Sequence, residues 1–309
     1  MPVVRGARLW YDETTGGASM IYLSRFFFPD GDREFDFRLS EKRKCYTTYY
    51  PFHVLSARGL GEIELDHITV LYGGNGSGKT TVLNVIAEKL ALTRDAPYNR
   101  SNFFEKYTAL CDFEVRRPVP PDSRIITSDD VFDFMLDLRA LNEGIDRKRE
   151  ALFEEYIENR HAEFRLRSME DYEQLKRINL ARKATQSAYV RGQMPPNARE
   201  QSNGESAYAF FTDQIGENAL YLLDEPENSL SPERQQELAR FIEEAVRFFG
   251  CQFLIATHSP FLLALRDARI YDLDADPARV KKWTELPNVR AYYDFFSRHR
   301  RAFEETEEE

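Results

Sequence analysis

From about residue 60 onward the apolar positions alternate between two rhythms. Short apolar runs at 63–65, Ile68–Tyr72, Arg124–Thr127, 219–223, Gln252–Ala256 and 269–273 predict strands, and the second of them ends in glycines. Within 80–92, apolar residues at Val82, Leu83, Val85, Ile86 and Leu90 predict a buried helix, and 232–249 and 260–265 carry helical patterns as well. Strands alternating with helices imply a mostly parallel central sheet covered by helices on both faces. The first 60 residues are rich in Phe and Tyr, with turns expected at Gly16-Gly17 and Pro29-Asp30-Gly31, and they suggest an antiparallel N-terminal part.

The segment from about 130 to 199 has a different rhythm. Apolar pairs at Leu152/Phe153 and Tyr156/Ile157 are followed by Leu175, Ile178 and Ala181 at three-residue steps, until Pro195-Pro196 stops the pattern. Two or three helices are expected there. Because a 20-residue helix is only about 30 Å long, they predict a compact helical lobe rather than a coiled-coil arm. The expected organisation is one domain over 1–309. Its core is formed by 1–129 and 206–309, and its helical lobe by 130–205.

Composition narrows the class. The 309 residues are 42% hydrophobic and 30% charged, enough for a proper core, and the formal net charge of −10 gives no global attraction to nucleic acid or acidic membranes. One local exception is 160–199, where nine Lys or Arg face four acids. Cys45, Cys111 and Cys251 are odd in number and widely spaced, which argues against a disulfide framework or a zinc site. No apolar run approaches the roughly 20 residues that span a bilayer, so no membrane insertion and a cytoplasmic location are expected.

Candidate chemistry begins at Gly73-Gly74-Asn75-Gly76-Ser77-Gly78-Lys79-Thr80, with Thr81 following. This fits G-x-x-x-x-G-K-[ST] between a strand and a helix. Glycines let successive N–H groups turn inward around phosphate oxygens, and the helix N-terminus adds partial positive charge. Lys79 would reach the β- and γ-phosphates and Thr80 would ligate Mg²⁺. Leu220-Tyr221-Leu222-Leu223-Asp224-Glu225 is an apolar strand ending in two carboxylates. Asp224 is assigned to the metal and Glu225 to the attacking water. Ser202-Asn203-Gly204-Glu205 reads locally as a capping box, and a helix N-terminus of this kind is also a possible γ-phosphate site. His258 stands just past the strand Gln252–Ala256, either as a structural histidine or as an imidazole that can hydrogen-bond a γ-phosphate and the attacking water.

These elements, in this order, resemble the ATP-binding-cassette (ABC) ATPases. The stretches N-G-S-G-K-T, S-N-G-E-S, D-E-P-E and A-T-H-S-P are closer to the small bacterial SMC/RecF-like ATPases of repair and defence systems than to transporter subunits. The resemblance implies a P-loop NTPase fold of ABC type and ATP and Mg²⁺ as cofactors. It also implies a head-to-tail homodimer in which Ser202, Asn203, Gly204 and Glu205 serve the partner's nucleotide as the signature motif. Glu225 and His258 become the catalytic carboxylate and the switch histidine. Two departures stand out. Ser231 ends the D-loop where many members have Asp, and no glutamine marks the Q-loop, near which Asp129 stands. Tyr49 and Tyr50 are candidates for adenine stacking or for core packing.

The function expected is ATP hydrolysis driving a conformational switch in an anti-phage defence, DNA repair or other nucleic-acid-related process. An effector protein such as a nuclease, or nucleic acid itself, is the expected partner. Alternatives are a transporter ATPase subunit and a non-hydrolysing ATP-gated scaffold; a small-molecule kinase would share the phosphate loop but not the signature.

Overall fold

The computed structural model describes residues 8–9, 20–42, 45–163, 171–194 and 203–304. Two compact units divide the chain. One comprises Met1–Val131 with Asn203–Glu309, the other Phe132–Ser202.

The first unit holds two sheets. The larger has the order β10-β9-β4-β8-β7-β6, from β4 (Ile68–Tyr72), β6 (Arg124–Thr127), β7 (Leu220–Asp224), β8 (Gln252–Ala256), β9 (Arg269–Asp272) and β10 (Arg279–Lys281). All neighbours are parallel except β9 and β10. Every residue of β4, β7 and β8 is buried, which is why these strands read as continuous apolar runs rather than as alternation. The smaller sheet has the order β1-β5-β2-β3, from β1 (Arg8–Leu9), β2 (Leu23–Phe27), β3 (Glu62–Glu64) and β5 (Asp112–Val115). β2 runs antiparallel to both β3 and β5, the antiparallel N-terminal part that the aromatic-rich start suggested.

Helices α1 (Gly31–Ser40), α2 (Lys79–Lys89), α3 (Phe104–Leu110), α7 (Asn203–Gln214), α8 (Pro232–Phe248), α9 (Pro260–Leu263), α10 (Pro287–Arg298) and α11 (Arg300–Glu304) complete this unit. Pro29-Asp30-Gly31 differs from its expectation as a turn. It opens α1, with the Asp30 carboxylate accepting from Arg33 N at 2.8 Å. Asp is as good a helix N-cap as a turn residue, and only context separates the two uses. The Gly16-Gly17 turn lies outside the described residues.

The second unit is helical. It takes most of α4 (Ser128–His161), then α5 (Tyr172–Lys183) and α6 (Gln186–Arg191). Leu152 and Tyr156 of α4 pack with Ala181, Tyr189 and Val190 in a small core of their own. α4 corrects the expectation of short helices: its 34 residues span about 50 Å. Nothing between 128 and 161 stops a helix. Gly144 costs only about 1 kcal/mol relative to Ala, and pairs such as Arg147–Glu143 link successive turns.

One side chain ties the two sheets together. Gln252 at the start of β8 is fully buried. Its Oε1 accepts from the N–H groups of Tyr22 and Leu23 at 2.9 and 3.0 Å, and its Nε2 donates to the carbonyls of Leu23 and Asp66 at 2.7 and 3.1 Å. Both donors and both acceptor positions of the amide are used. Gln252→Leu keeps the bulk and strands these backbone groups, so urea unfolding should show a loss of at least about 3 kcal/mol. Unchanged stability would mean that water replaces the amide.

Candidate functional site

Parallel registers bring the C-terminal ends of β4, β7 and β8 to one edge of the large sheet. Leu71 and Asp224 both pair with Ala256, Glu225 N donates to Ala256 O at 2.8 Å, and Thr257 N donates to Leu71 O at 3.2 Å. The glycine loop leaves β4, the two carboxylates end β7, and the Thr257-His258 turn leaves β8. Ligand sites of open α/β sheets form at this edge, beyond the carboxyl ends of the strands.

The loop itself is built for close approach. Gly78 has φ +101°, a conformation that L side chains rarely adopt, and a Cβ there would sit 3.1 Å from Leu55 Cδ2. A Cβ on Gly73 would meet Ser77 Oγ at 2.6 Å. That hydroxyl is buried and has no hydrogen-bond partner among the described residues, as expected of a group that could meet a ligand oxygen. α2 begins at Lys79, so its N-terminal partial positive charge points into the loop.

Lys79 is the hub. Its side chain is 4% exposed, and Nζ donates to the carbonyls of Gly73 and Gly74 at 2.7 and 3.2 Å. The same ammonium lies 2.9 Å from His258 Nε2 and 3.6 Å from Glu225 Oε1. His258 Nε2 and Glu225 Oε1 are 3.3 Å apart. A cation, a carboxylate and an imidazole from three different loops therefore share one point. Glu225 reaches it from a left-handed backbone position, φ 49°.

Beside this cluster Thr80 Oγ1 donates to Asp224 Oδ1 at 3.2 Å. Burial, reinforced by the charges of Glu225 and Glu227 and opposed by Thr80 and Lys79, pushes the Asp224 carboxyl up to about 6. A buried carboxylate in this condition suits a cation, and the donors are hard oxygens. Among the described residues no three His, Cys, Asp or Glu side chains converge as ligands. Thr80 and Asp224 thus fit Mg²⁺ bound in the way typical of nucleotide sites, with phosphate and water supplying the remaining ligands.

The other expected site residues are placed as follows. Ser202 lies outside the described residues, and Asn203 is the first residue of α7. A Cβ on Gly204 would lie 3.7 Å from the backbone of Ser229 and of Ser231, and Glu205 pairs with Arg234 at 3.3 Å. Ser231, the departure from Asp in the D-loop, caps α8 by accepting from Arg234 N at 3.4 Å. Tyr49 packs on Phe103 with ring centroids 4.7 Å apart, and the Tyr50 hydroxyl lies 3.2 Å from Thr81 Oγ1. Asp129 is exposed, whereas Asp130 turns inward and takes the N–H groups of Thr127 and Ala96 at 2.6 and 2.7 Å.

Three residues near the loop carried no sequence signal strong enough to single out. Asp274 Oδ2 accepts from Gly74 N at 2.6 Å. Glu227 Oε1 accepts from His258 N and Ser259 N at 2.5 and 3.2 Å, and Asn288 Nδ2 donates to His258 O at 3.0 Å. Glu227 stands two residues past Glu225 in D-E-P-E, the nearest thing to a clue. The other two come from distant segments.

A mostly parallel sheet with a glycine loop between β4 and α2, two carboxylates ending β7 and a histidine after β8 makes an α/β fold of P-loop type. The profile of a family described as "AAA domain, putative AbiEii toxin, Type IV TA system" matches residues 117–264. No curated protein matches the chain. Solved structures to which it is similar include an SMC head domain from Thermotoga maritima, 14% identical, covering 85% of this chain and 99% of that one with a TM-score of 0.38. A dimeric ATP-binding cassette in a post-hydrolysis state bound to ADP and Pi is 15% identical, covering 73% and 90% with a TM-score of 0.36. A nucleotide-free cassette from an ABC transporter is 17% identical, covering 75% and 90% with a TM-score of 0.37. Among the described residues no helix is long and apolar enough to cross a membrane.

The raised Asp224 carboxyl generates a pH dependence in nucleotide-free protein. The folded chain holds this proton up to about pH 6, while an unfolded Asp releases it near pH 3.9. The folded state thus binds more protons between these values, and stability falls as pH rises through that window. Asp224→Asn removes the charge. It should be more stable than wild type at pH 7.5, by up to about 3 kcal/mol, and the advantage should fade as pH drops from 6 to 4. Thermal unfolding without nucleotide measures this, and a pH-independent difference would contradict it.

Proposed function

We propose that this chain binds ATP with Mg²⁺ and hydrolyses it within a head-to-tail homodimer, using the cycle as a conformational switch. The observation that carries the reading is the meeting of Lys79, Glu225 and His258, with Nζ 2.9 Å from Nε2 and 3.6 Å from Oε1. When ATP enters, Lys79 exchanges the carbonyls of Gly73 and Gly74 for the β- and γ-phosphate oxygens, with the backbone of Asn75, Gly76, Ser77 and Gly78 and the hydroxyl of Thr81 around them. Thr80 and Asp224 would hold Mg²⁺, which would supply positive charge to offset that of the phosphates. Glu225, released from the ammonium, orients the attacking water and accepts its proton, and His258 hydrogen-bonds the γ-phosphate. Ser202, Asn203, Gly204 and Glu205 at the head of α7 serve the nucleotide of the partner protomer.

For the biological setting we favour defence, with an effector protein such as a nuclease under control of the switch. The family described with a toxin–antitoxin system supports this choice over a transporter subunit. Nucleic acid is the second partner proposed. On α5, Ile178 and Ala181 form the buried face, and at 100° per residue Lys176 and Lys183 fall opposite it, with Arg177 and Arg182 on the flanks. Lys176 pairs with Glu173 and Arg177 with Glu155, which reduces the free charge. Arg165, Arg167 and Arg199 of the same basic segment lie outside the described residues.

Glu225→Gln should retain Mg²⁺-ATP binding, lose at least about 100-fold in turnover and accumulate as an ATP-dependent dimer in light scattering. Lys79→Ala should instead bind nucleotide weakly. Wild-type turnover in the Gln variant, or a mass that ignores ATP, would overturn hydrolysis or the sandwich respectively. If α5 contacts a phosphate backbone, each contact should contribute about 0.7 to 0.9 to the slope of log K against log salt. Replacing Lys176, Arg177, Arg182 and Lys183 by Glu should lower both slope and affinity while basal ATPase persists. Absence of salt-dependent binding to DNA or RNA by wild type would remove nucleic acid as a partner.

A further inference from the structure

The ring of His258 meets the Lys79–Glu225 pair through Nε2. The backbone that carries this ring is held as well, and both of its polar groups at His258 have partners from other segments. Glu227, in the 3-10 turn Pro226–Ser229 that follows β7, turns its carboxylate to that turn. Its Oε1 takes two successive N–H groups, His258 N at 2.5 Å and Ser259 N at 3.2 Å. From the other side Asn288, in the first turn of α10, donates its Nδ2 to His258 O at 3.0 Å.

We infer that Glu227 and Asn288 are positioning residues that clamp the His258 backbone and so hold its imidazole at the Lys79–Glu225 pair. Neither touches the reacting atoms. Glu227 provides a charge-assisted acceptor, about twice as strong as a neutral one. It ties the end of β7, which carries the carboxylates, to the end of β8, which carries the histidine. A third residue braces the same turn: Ser259 Oγ donates to Gln235 Oε1 at 2.7 Å, and Gln235 Nε2 donates to Leu230 O at 3.0 Å. Loop 225–231 and the histidine turn are thus one hydrogen-bonded body. Their displacement by about 1 Å is enough to cost on the order of 100-fold in a rate that depends on geometry. The clamp itself is independent of the proposed hydrolysis, whereas its kinetic effect rests on that reading.

The test separates the two. Amide hydrogen exchange of the nucleotide-free full chain reads the clamp without catalysis: Glu227→Ala should lose protection at His258, while Ser259 N keeps Thr257 Oγ1 as an acceptor at 3.0 Å and β4 and β8 stay protected. Protection unchanged at His258 would overturn the clamp. Steady-state kinetics with Mg²⁺-ATP then read its consequence. Glu227→Ala should lower kcat about 10- to 100-fold with KM nearly unchanged, Glu227→Gln should recover much of the loss by keeping an acceptor oxygen, and Asn288→Ala should fall in the same direction. Residues that act through one group do not add, so Glu227→Ala with His258→Ala should be no slower than His258→Ala alone. Multiplicative losses would show that Glu227 does not act through His258. If exchange behaves as expected while Glu225→Gln hydrolyses at the wild-type rate, the hydrolysis reading fails and the clamp stands.

Discussion

A buried ammonium must be surrounded by acceptors, because an unpaired charge away from water is far too costly to keep. Lys79 meets that demand by drawing together three loops that are remote in sequence: the carbonyls of its own glycine loop, Glu225 after β7 and His258 after β8. The lysine has this position because α2 starts at the loop and buries nearly all of its first turns. Much of the local structure follows from that one group. The glycines at 73 and 78 admit close approach where a Cβ would strike Ser77 or Leu55, and Glu225 accepts a left-handed backbone to reach the same point.

The price of concentrating acids at one strand end is visible in Asp224. Its carboxyl is pushed up to about 6 by burial and by its acidic neighbours. Such a site is poorly matched to itself and well matched to a metal-bound polyphosphate, which brings positive charge to the carboxylates and negative charge to the lysine. On the proposed function, binding of such a ligand would relieve this mismatch, and differential stabilisation of that kind is what lets a ligand shift a conformational equilibrium. Glu227 adds to that crowding while its Oε1 takes two backbone N–H groups.

Away from the site, the chain uses polar side chains where the backbone runs out of partners. Gln252 satisfies four backbone groups where the smaller sheet meets the larger. Asp130 does the same for Thr127 and Ala96 at the start of α4. Ser231 and Ser259 cap the two helices that follow β7 and β8. Gln252, Asp130 and Ser259 are buried, polar chemistry that an apolar core could not replace without leaving backbone groups unpaired.

Local rules made much of this legible in the sequence. Five-residue apolar runs stand for strands buried on both faces, a helical period marks α8, and a glycine loop ending in Lys-Thr between a strand and a helix announces phosphate chemistry. Those features depend on neighbours a few residues away, so they can be read without the fold. Tertiary structure alone decided which remote residues would meet. Asp30 serves a helix and not a turn because the chain after it packs as α1. α4 runs unbroken because no local signal stops it. Asp274, Glu227 and Asn288 hold the glycine loop and the histidine turn across separations of 200, 31 and 30 residues. A hydrogen bond between groups so far apart in sequence leaves no periodicity, and a single Asp, Glu or Asn has the same composition whether it faces water or clamps a loop.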